Sequence, residues 1–410
     1  MAGIATGVFK KLSLKKQVSL GAMAAAGAAG SARYARRVTS TIDLAKASYQ
    51  SNEMLQSQQR RDMRHGVRSV AGTISGELSV GGYQLPMESV LRQLSQTAAT
   101  TNSQTTISAT AVGNNTGIYN RSAGSFITDG FNVGDVVNTV GFTTTGADNN
   151  NQYAVVTALT ATAMSLLVLD GTPIVTKAAG DGVTVSVVGK KTWIPSSGQT
   201  RDYYTIEHFF ADIGQSERFT DCVFTGFTAT LPPTGMATIE FPVMGLNMQT
   251  GQAEYFTTPA PAPTGPILAA VNGALIINGV VAGLVTGLTI TVNGNYSVPG
   301  GVVGANVDPD VFPGPVDVTG QITVLFQDAT FRDAFINETE SVVVAVLTGS
   351  NVAAPLFTSF VMPRVKYSGS TKDDTNAGLT LTMPFTALEN TGSVVGGVLS
   401  TISVQDASFI

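Results

Sequence analysis

The 410-residue chain is 43% hydrophobic but only 12% charged, and its single cysteine, Cys222, and two histidines exclude an internal disulfide framework and a zinc-type ligand set. So few charges on a chain long enough for two or three domains imply that much of the surface is buried by partners. The net charge of −5 hides an asymmetry: residues 1–70 carry 12 Lys+Arg against 3 Asp+Glu, and the rest carry 11 against 25. A basic first part on an acidic body is expected to meet an acidic neighbour rather than nucleic acid.

Residues 1–37 read as an N-terminal arm of small, basic and weakly apolar residues without a sustained helical stripe. Lys10, Lys11, Lys15 and Lys16 ahead of the Ala/Gly run 18–32 outline a secretory signal. The run lacks large apolar residues, however, and Arg33, Arg36 and Arg37 follow it at once, which argues against one. A strand with Val38, Ile42 and Leu44 comes next, then a polar stretch, 48–65, rich in Gln and Arg. From Val70 to Val80 apolar or small residues alternate with polar ones, the period of a half-buried strand. A glycine turn leads to Pro86, and Met87, Val90, Leu91 and Leu94 then share one helical face.

This strand-turn-helix unit occurs twice. At a spacing of 248 positions Val70, Gly72, Ile74, Gly76 and Leu78 fall on Val318, Gly320, Ile322, Val324 and Phe326; Asp328 can then cap a second helix carrying Phe331, Ala334 and Phe335. The preceding strand recurs as Leu288–Val292, and the polar stretch 48–65 has its counterpart in 295–315, rich in Gly, Pro and Asp. Both stretches are longer than ordinary connections, which marks them as functional. Further on, 237–246 matches 379–388 at a spacing of 142, with Pro242 on Pro384. The drop in spacing requires a segment of 106 residues in the first half that the second lacks. Residues 101–192, with short β-rich runs between Gly, Asn and Asp turns, fit that size as a small all-β module, barrel-like or sandwich-like.

The architecture expected is mainly β. Residues 38–100 with 193–256 form a first β-sandwich with a short flanking helix; 101–192 hang from it as the inserted module; 257–265 are a Pro-rich linker; 266–390 form a second, similar sandwich; 391–410 are a C-terminal arm. Residues 267–285 are long enough to cross a bilayer, but Asn272-Gly273 and Asn278-Gly279 between β-branched runs read as hairpin turns, so no membrane partner is expected.

No catalytic constellation is found. There is no nucleophile elbow, phosphate loop, dinucleotide fingerprint or metalloprotease helix. His65 lies in an Arg-rich loop, His208 in an alternating strand, and Cys222 reads as a small core residue. Trp193 packs where the insert rejoins the first sandwich. Asp373, Asp374 and Asn376, like Asp308 and Asp310, read as turn residues because neither group has the ligand spacing of a calcium loop. No enzyme activity, metal or cofactor is expected, and the informative chemistry is interfacial.

The runs Ala5–Leu12, Arg36–Leu44, Tyr49–Glu53, His65–Val70 and Gly72–Leu78 together resemble the tail tube (major tail) protein of long-tailed bacteriophages. The similarity continues through Tyr203–Phe210, Phe219–Gly226, Val271–Gly279, Val318–Val324 and Met362–Lys366, covering most of the chain and weakest in the insert. The resemblance implies tail-tube β-sandwiches whose sheets join side by side into rings, which stack into a tube for DNA in the virion tail, made in the bacterial host cytoplasm. It also implies tape-measure and tail-terminator proteins as partners, with passing double-stranded DNA not specifically bound. Since family rings hold six sandwiches and this chain has two, three chains per ring are expected.

An acidic wall would keep DNA mobile, and Glu77 and Gln321, on the polar faces of the repeated strand, are the lumen-facing candidates. Arg60, Arg61, Arg64 and Arg68 in or beside the first long loop, and Asp308, Asp310 and Asp317 in or beside its duplicate, are candidates for a ring-to-ring or repeat-to-repeat contact. The alternative reading of the residues alone is a secreted multi-domain β-sandwich adhesin.

Overall fold

The computed structural model describes residues 3–27, 32–97, 99–144, 148–349, 355–373 and 378–409. The first half opens with β1 (Lys10–Lys16), β2 (Arg33–Tyr34), β3 (Thr39–Ser40), β4 (Asp43–Gln50), β5 (Met63–Glu77) and helix α1 (Gln84–Leu91). After β6 (Gln96–Thr97) comes the insert, β7 (Ile107–Ala111), β8 (Thr116–Arg121), β9 (Val136–Val140), β10 (Tyr153–Leu159), β11 (Ala163–Val168) and β12 (Thr184–Val187). The chain returns through β13 (Lys190–Trp193), β14 (Tyr204–Phe210), β15 (Gln215–Phe224), β16 (Gly226–Leu231), β17 (Thr238–Gly245) and β18 (Asn247–Gln252). The second half runs β19 (Gly273–Ile277), β20 (Val280–Val281), β21 (Val285–Asn293), β22 (Asp317–Leu325), α2 (Thr330–Ile336), β23 (Ser341–Thr348), β24 (Phe357–Tyr367), β25 (Thr371–Lys372), β26 (Thr380–Ala387) and β27 (Ser403–Asp406).

The duplication read from residue spacing is present in the strand ladders. Ser40 faces Ile74, Asp43 faces Ala71 and Leu44 faces Val70; 248 positions on, Leu288 faces Ile322, Thr291 faces Thr319 and Val292 faces Val318. Likewise Val70–Gly245 and Glu77–Thr238 recur as Val318–Ala387 and Leu325–Thr380, the spacing being 248 on one strand and 142 on the other. Even irregularities recur. The slip between Tyr204–Cys222 and Ile206–Phe219 reappears between Ser341–Val365 and Val343–Met362. The Thr225 N–H donates to the Pro242 carbonyl at 3.0 Å, and Ser368 donates to Pro384 at 2.8 Å. Each half therefore has one sheet of β1, β14, β15 and β18, or of β19, β23, β24 and β27, and another of β3–β4, β5, β17 and β16, or of β21, β22, β26 and β25.

Alternation sets the faces of the second kind of sheet. Ile74, Phe227, Ile239, Phe241, Ile290, Ile322, Met383 and Phe385 are buried in a core that runs through both halves, with Phe227 and Phe360 in ring contact across the boundary. At a rough 1.5–3 kcal/mol per large apolar side chain this burial dominates the fold's stability. Strand contact is close at two equivalent glycines. A Cβ on Gly72 would lie 2.5 Å from the Ile42 Cα, and one on Gly320 would lie 2.3 Å from the Thr289 carbonyl oxygen and 2.4 Å from the Phe385 ring. Because backbone cannot yield cheaply, Gly320→Val is expected to cost about 1–3 kcal/mol, seen as a lower urea midpoint of the unassembled chain. An unchanged midpoint would show that these strands can separate freely.

The two helices differ. Pro86, Met87, Val90 and Leu91 of α1 are buried, and the helix ends at Arg92, whose φ of 57° leaves Leu94 outside it and 51% exposed. In α2 no residue is buried, and its N-cap is Ala329, without a side-chain cap, rather than the expected Asp328, whose carboxylate one position earlier accepts from the Thr330 N–H at 2.9 Å. In the stretch 267–285, Asn278-Gly279 forms the expected turn, with φ of 52° and 80°, whereas Asn272 ends a short 3₁₀ turn instead. Among the described residues no helix is long and apolar enough to cross a membrane.

Three expectations about chain organisation are corrected. The N-terminal stretch is not a free arm, because β1 pairs with β14 and buries Leu12 and Leu14. The last residues are not an arm either: β27 lies between β24 and β13, with Ile402 and Val404 fully buried. In the first half the equivalent place is taken by β18, which follows β17 directly. Nor does the insert simply hang from the first sandwich. It has its own six-stranded sheet and core, but Val136, Val155 and Leu167 pack against Ile276, Val344, Phe357 and Val361 of the second half. The buried Lys191–Asp135 pair, 2.9 Å, ties the return strand β13 to the insert, and Trp193 of β13 stands opposite Ser403 of β27. Weak apolar content made both termini read as arms; their few large side chains are nevertheless the ones that enter the core.

Candidate assembly surface

Among the described residues the inner sheets of the two halves join through one strand pair. β16 pairs on one side with β17 and on the other with β21 of the second half, from Gly226–Asn293 to Leu231–Leu288, so the two inner sheets, with β3 and β4 sharing the place beside β5, become one continuous arc. Their counterparts at the ends of the arc have one neighbour each among the described strands: β3–β4 only β5, and β25 only β26. These are open sheet edges, which favour pairing with another chain.

The loop 295–315 crosses this junction onto the first half. Val311 is fully buried with Val223 and Leu246, beside Tyr203 and Tyr296. Asp310 meets Arg201 at 2.8 Å and accepts from the Tyr203 hydroxyl at 2.8 Å. Arg201 also donates to the Val311 carbonyl and lies 5.4 Å from the Phe312 ring. From α1, the Arg92 guanidinium donates to the carbonyls of Gly294 (3.1 Å) and Gly314 (2.8 Å). These last contacts were not legible in the sequence, since the charge pattern singled out loops and not Arg92 or Arg201.

Of the residues singled out from the sequence, Arg68 does reach the second loop, donating to Asn306 at 3.1 Å and also to Asn247 at 2.8 Å. Arg60, Arg61 and Arg64 do not. Arg61 lies 3.9 Å from Glu53 within the first loop, and Arg64, at the start of β5, lies 2.9 Å from Asp62; all four are exposed. Asp317 accepts from the Asn295 amide at 2.6 Å. Asp308 is buried, with one carboxylate oxygen unpartnered among the described residues. Exposed Tyr49, Met54 and Met63 leave the first loop with uncovered apolar surface.

The face of the arc opposite the core is rich in threonine. Thr73, Ser75 and Glu77 of β5, Thr238 and Glu240 of β17, Thr289 and Thr291 of β21, and Thr319, Gln321 and Thr323 of β22 alternate with the buried set. Glu77 is half-buried opposite Thr238, and Gln321 is exposed opposite Thr289.

The histidines and the cysteine lie on strands. His208 is buried, its Nε2 2.8 Å from the Ser40 hydroxyl, and desolvation, helped by Lys10 and Arg37, lowers its pKa to about 3. Burial pushes the Cys222 thiol well up, so it stays protonated. His65 pairs with Ser48 in the hairpin β4–β5. The described residues include no group of three or more His, Cys, Asp or Glu able to hold a metal ion. Asp374 and Asn376 lie outside the described residues, and Asp373 follows the short edge strand β25.

A family model described as phage tail tube protein matches residues 10–387. The chain belongs to that family. No curated protein matches it. Membership makes this tail tube protein a structural component of a virion tail that assembles with itself into a tube. The match runs through both sandwiches and the residues of the insert, and stops short of β27.

Proposed function

We propose that this tail tube protein closes into rings of three chains, each supplying two sandwiches to a ring of six with pseudo-sixfold symmetry. The observation that carries the reading is the β16–β21 seam: one chain already joins two equivalent repeats edge to edge, and leaves open the edges that further copies of that seam would close. Rings then stack into the tube through which DNA passes into the host. The threonine-rich face with Glu77, Glu240 and Gln321 forms the channel wall. Lys and Arg would bind phosphates by releasing their counterions, so an uncharged to acidic wall lets DNA slide. The ends of the tube and its interior meet tail-terminator and tape-measure proteins, the partners implied by the family. The protein acts without enzymatic chemistry, metal or cofactor.

Purified protein at increasing concentration should form tubes visible by electron microscopy, with three chains per ring in a reconstruction. Six chains per ring would overturn the stoichiometry, and the absence of any ring or tube would overturn the reading. Arg60, Arg61 and Arg64 project from the first loop without reaching the second within one chain, so they serve contacts between copies. Changing all three to Glu should abolish tube formation while leaving the chain folded; normal tubes would reject this role.

A further inference from the structure

The internal seam specifies the residues that meet at the seam between copies. Residue equivalences follow from the ladders: β21 and the loop after it correspond to β3–β4 and its loop at a spacing of 248, β15–β16 to β24–β25 at 143, and β14 to β23 at 137. The loop keeps the spacing of its strands, since the Ser297–Phe312 bridge corresponds to the Tyr49–Arg64 pair. Each engaged edge of the internal seam thus has a free counterpart, β21 in β3–β4 and β16 in the segment around β25.

We infer that the edge 369–373 of one chain pairs antiparallel with residues 41–45 of a second copy, in the register of the internal seam. Gly226–Asn293 becomes Gly369–Ala45, Thr228–Thr291 becomes Thr371–Asp43, and Thr230–Thr289 becomes Asp373–Thr41. Within the chain the Thr228 and Thr291 hydroxyls are 3.3 Å apart on the threonine-rich face. Between copies the Thr371 hydroxyl donates to the Asp43 carboxylate at the same place.

The platform that receives the loop changes sign with it. Carried three residues ahead of β14 and β23, the spacing of 137 places Arg201 on Glu338, which unlike Arg201 stands in a positive-φ turn, and the ladders place Phe312, which lies over Arg201, on Arg64. A cation on a ring within the chain therefore becomes a carboxylate facing a guanidinium between chains. Both side chains are more than four-fifths exposed in the single chain, where Arg64 pairs with Asp62 at 2.9 Å and Glu338 with Lys366 at 3.6 Å, and the contact between chains exchanges these solvent-exposed partners. Met63 corresponds to the fully buried Val311 and is covered in the same step. The two seams thus share backbone pairing but carry different charges. That difference makes a second half accept the first half of another copy rather than a second half like itself.

The inference rests on the ring reading and is tested separately from it. A chain carrying Thr371→Cys and Asp43→Cys, assembled and mildly oxidised, should give covalently closed multimers on a non-reducing gel. Cys222, buried and protonated, does not compete. Thr228→Cys with Thr291→Cys should close within one chain, whereas Thr371→Cys with Ile42→Cys, on opposite faces, should stay monomeric. Rings without the first cross-link, or with the last, would overturn the register and leave the ring reading standing; a wild-type chain without rings would overturn the reading itself. Should the cysteine pair block assembly, charge exchange decides. Glu338→Arg and Arg64→Glu alone should each raise the concentration needed for assembly by about fivefold, and the double variant should return it to within about twofold of wild type. A double variant no better than either single one would overturn the pairing of loop and platform.

Discussion

A chain ending at Ser400 is expected not to fold. The lost residues include Ile402 and Val404, with no exposed surface, and Phe409, 6% exposed. Burying three such side chains contributes roughly 5–8 kcal/mol, comparable with the roughly 5–15 kcal/mol that separates a folded domain from its unfolded chain. Truncation also removes β27 from between β24 and β13, so backbone groups of both neighbours lose their partners at once. The Asp406 carboxylate goes with it, which accepts from the Gly81 N–H at 3.0 Å, the Thr358 hydroxyl at 2.6 Å and the Ser408 N–H at 2.8 Å. So does the Gln405 amide, which bridges the carbonyls of Val136 and Val188 and so holds the insert. Insoluble product, or a soluble chain without a cooperative melting transition, is the expected result. A truncated chain that melts like the full one would show that the C-terminal strand is dispensable.

Glu207→Leu should destabilise the first half by several kcal/mol and leave the second half intact. This fully buried carboxylate on β14 accepts hydrogen bonds from the Ser13 hydroxyl (3.3 Å), the Ser216 hydroxyl (2.6 Å) and the N–H groups of Tyr255 (2.6 Å) and Phe256 (3.1 Å). One side chain thereby holds β1, β15 and the segment after β18 to the same strand. Leucine fits the volume but strands four donors, three of them buried, at about 1–3 kcal/mol for each buried one, and Glu207→Gln, with one acceptor oxygen retained, should lose less. Hydrogen exchange should show early opening of β1 and β14 in the leucine variant, with β23 and β24 still protected. Uniform exchange across both halves would mean that they unfold as one unit. The equivalent residue in the second half is Val344, which packs against the insert instead. The same strand position is thus a polar anchor in one repeat and an apolar dock in the other.

Much of the architecture was legible because strand alternation and turn residues are local. The polar–apolar pattern of 70–80 and 318–324 assigned the core face, and the spacings of 248 and 142 located the two repeats and the missing segment between them. The ladders follow those spacings residue by residue, since a one-residue slip would turn a whole apolar set outward. The termini were misread for a physical reason as well. Seven residues of β1 and four of β27 carry too few large side chains to display a pattern, and they form strands because an existing sheet edge supplies the partners.

The candidate contacts were legible only in outline. Charge and length marked both long loops, yet Asp310 is held by Arg201, a residue outside either loop and more than a hundred positions away. No spacing rule connects them. The sequence by itself determined the β class, the duplication and the insert, because each is written in short-range pattern or composition. Only the tertiary structure decided that the insert rests on the second half, that both termini enter the sheets, and that one seam is closed while two edges stay open. Those depend on which complementary surfaces meet once the strands have formed, and surface matching across hundreds of residues leaves no local mark on the chain.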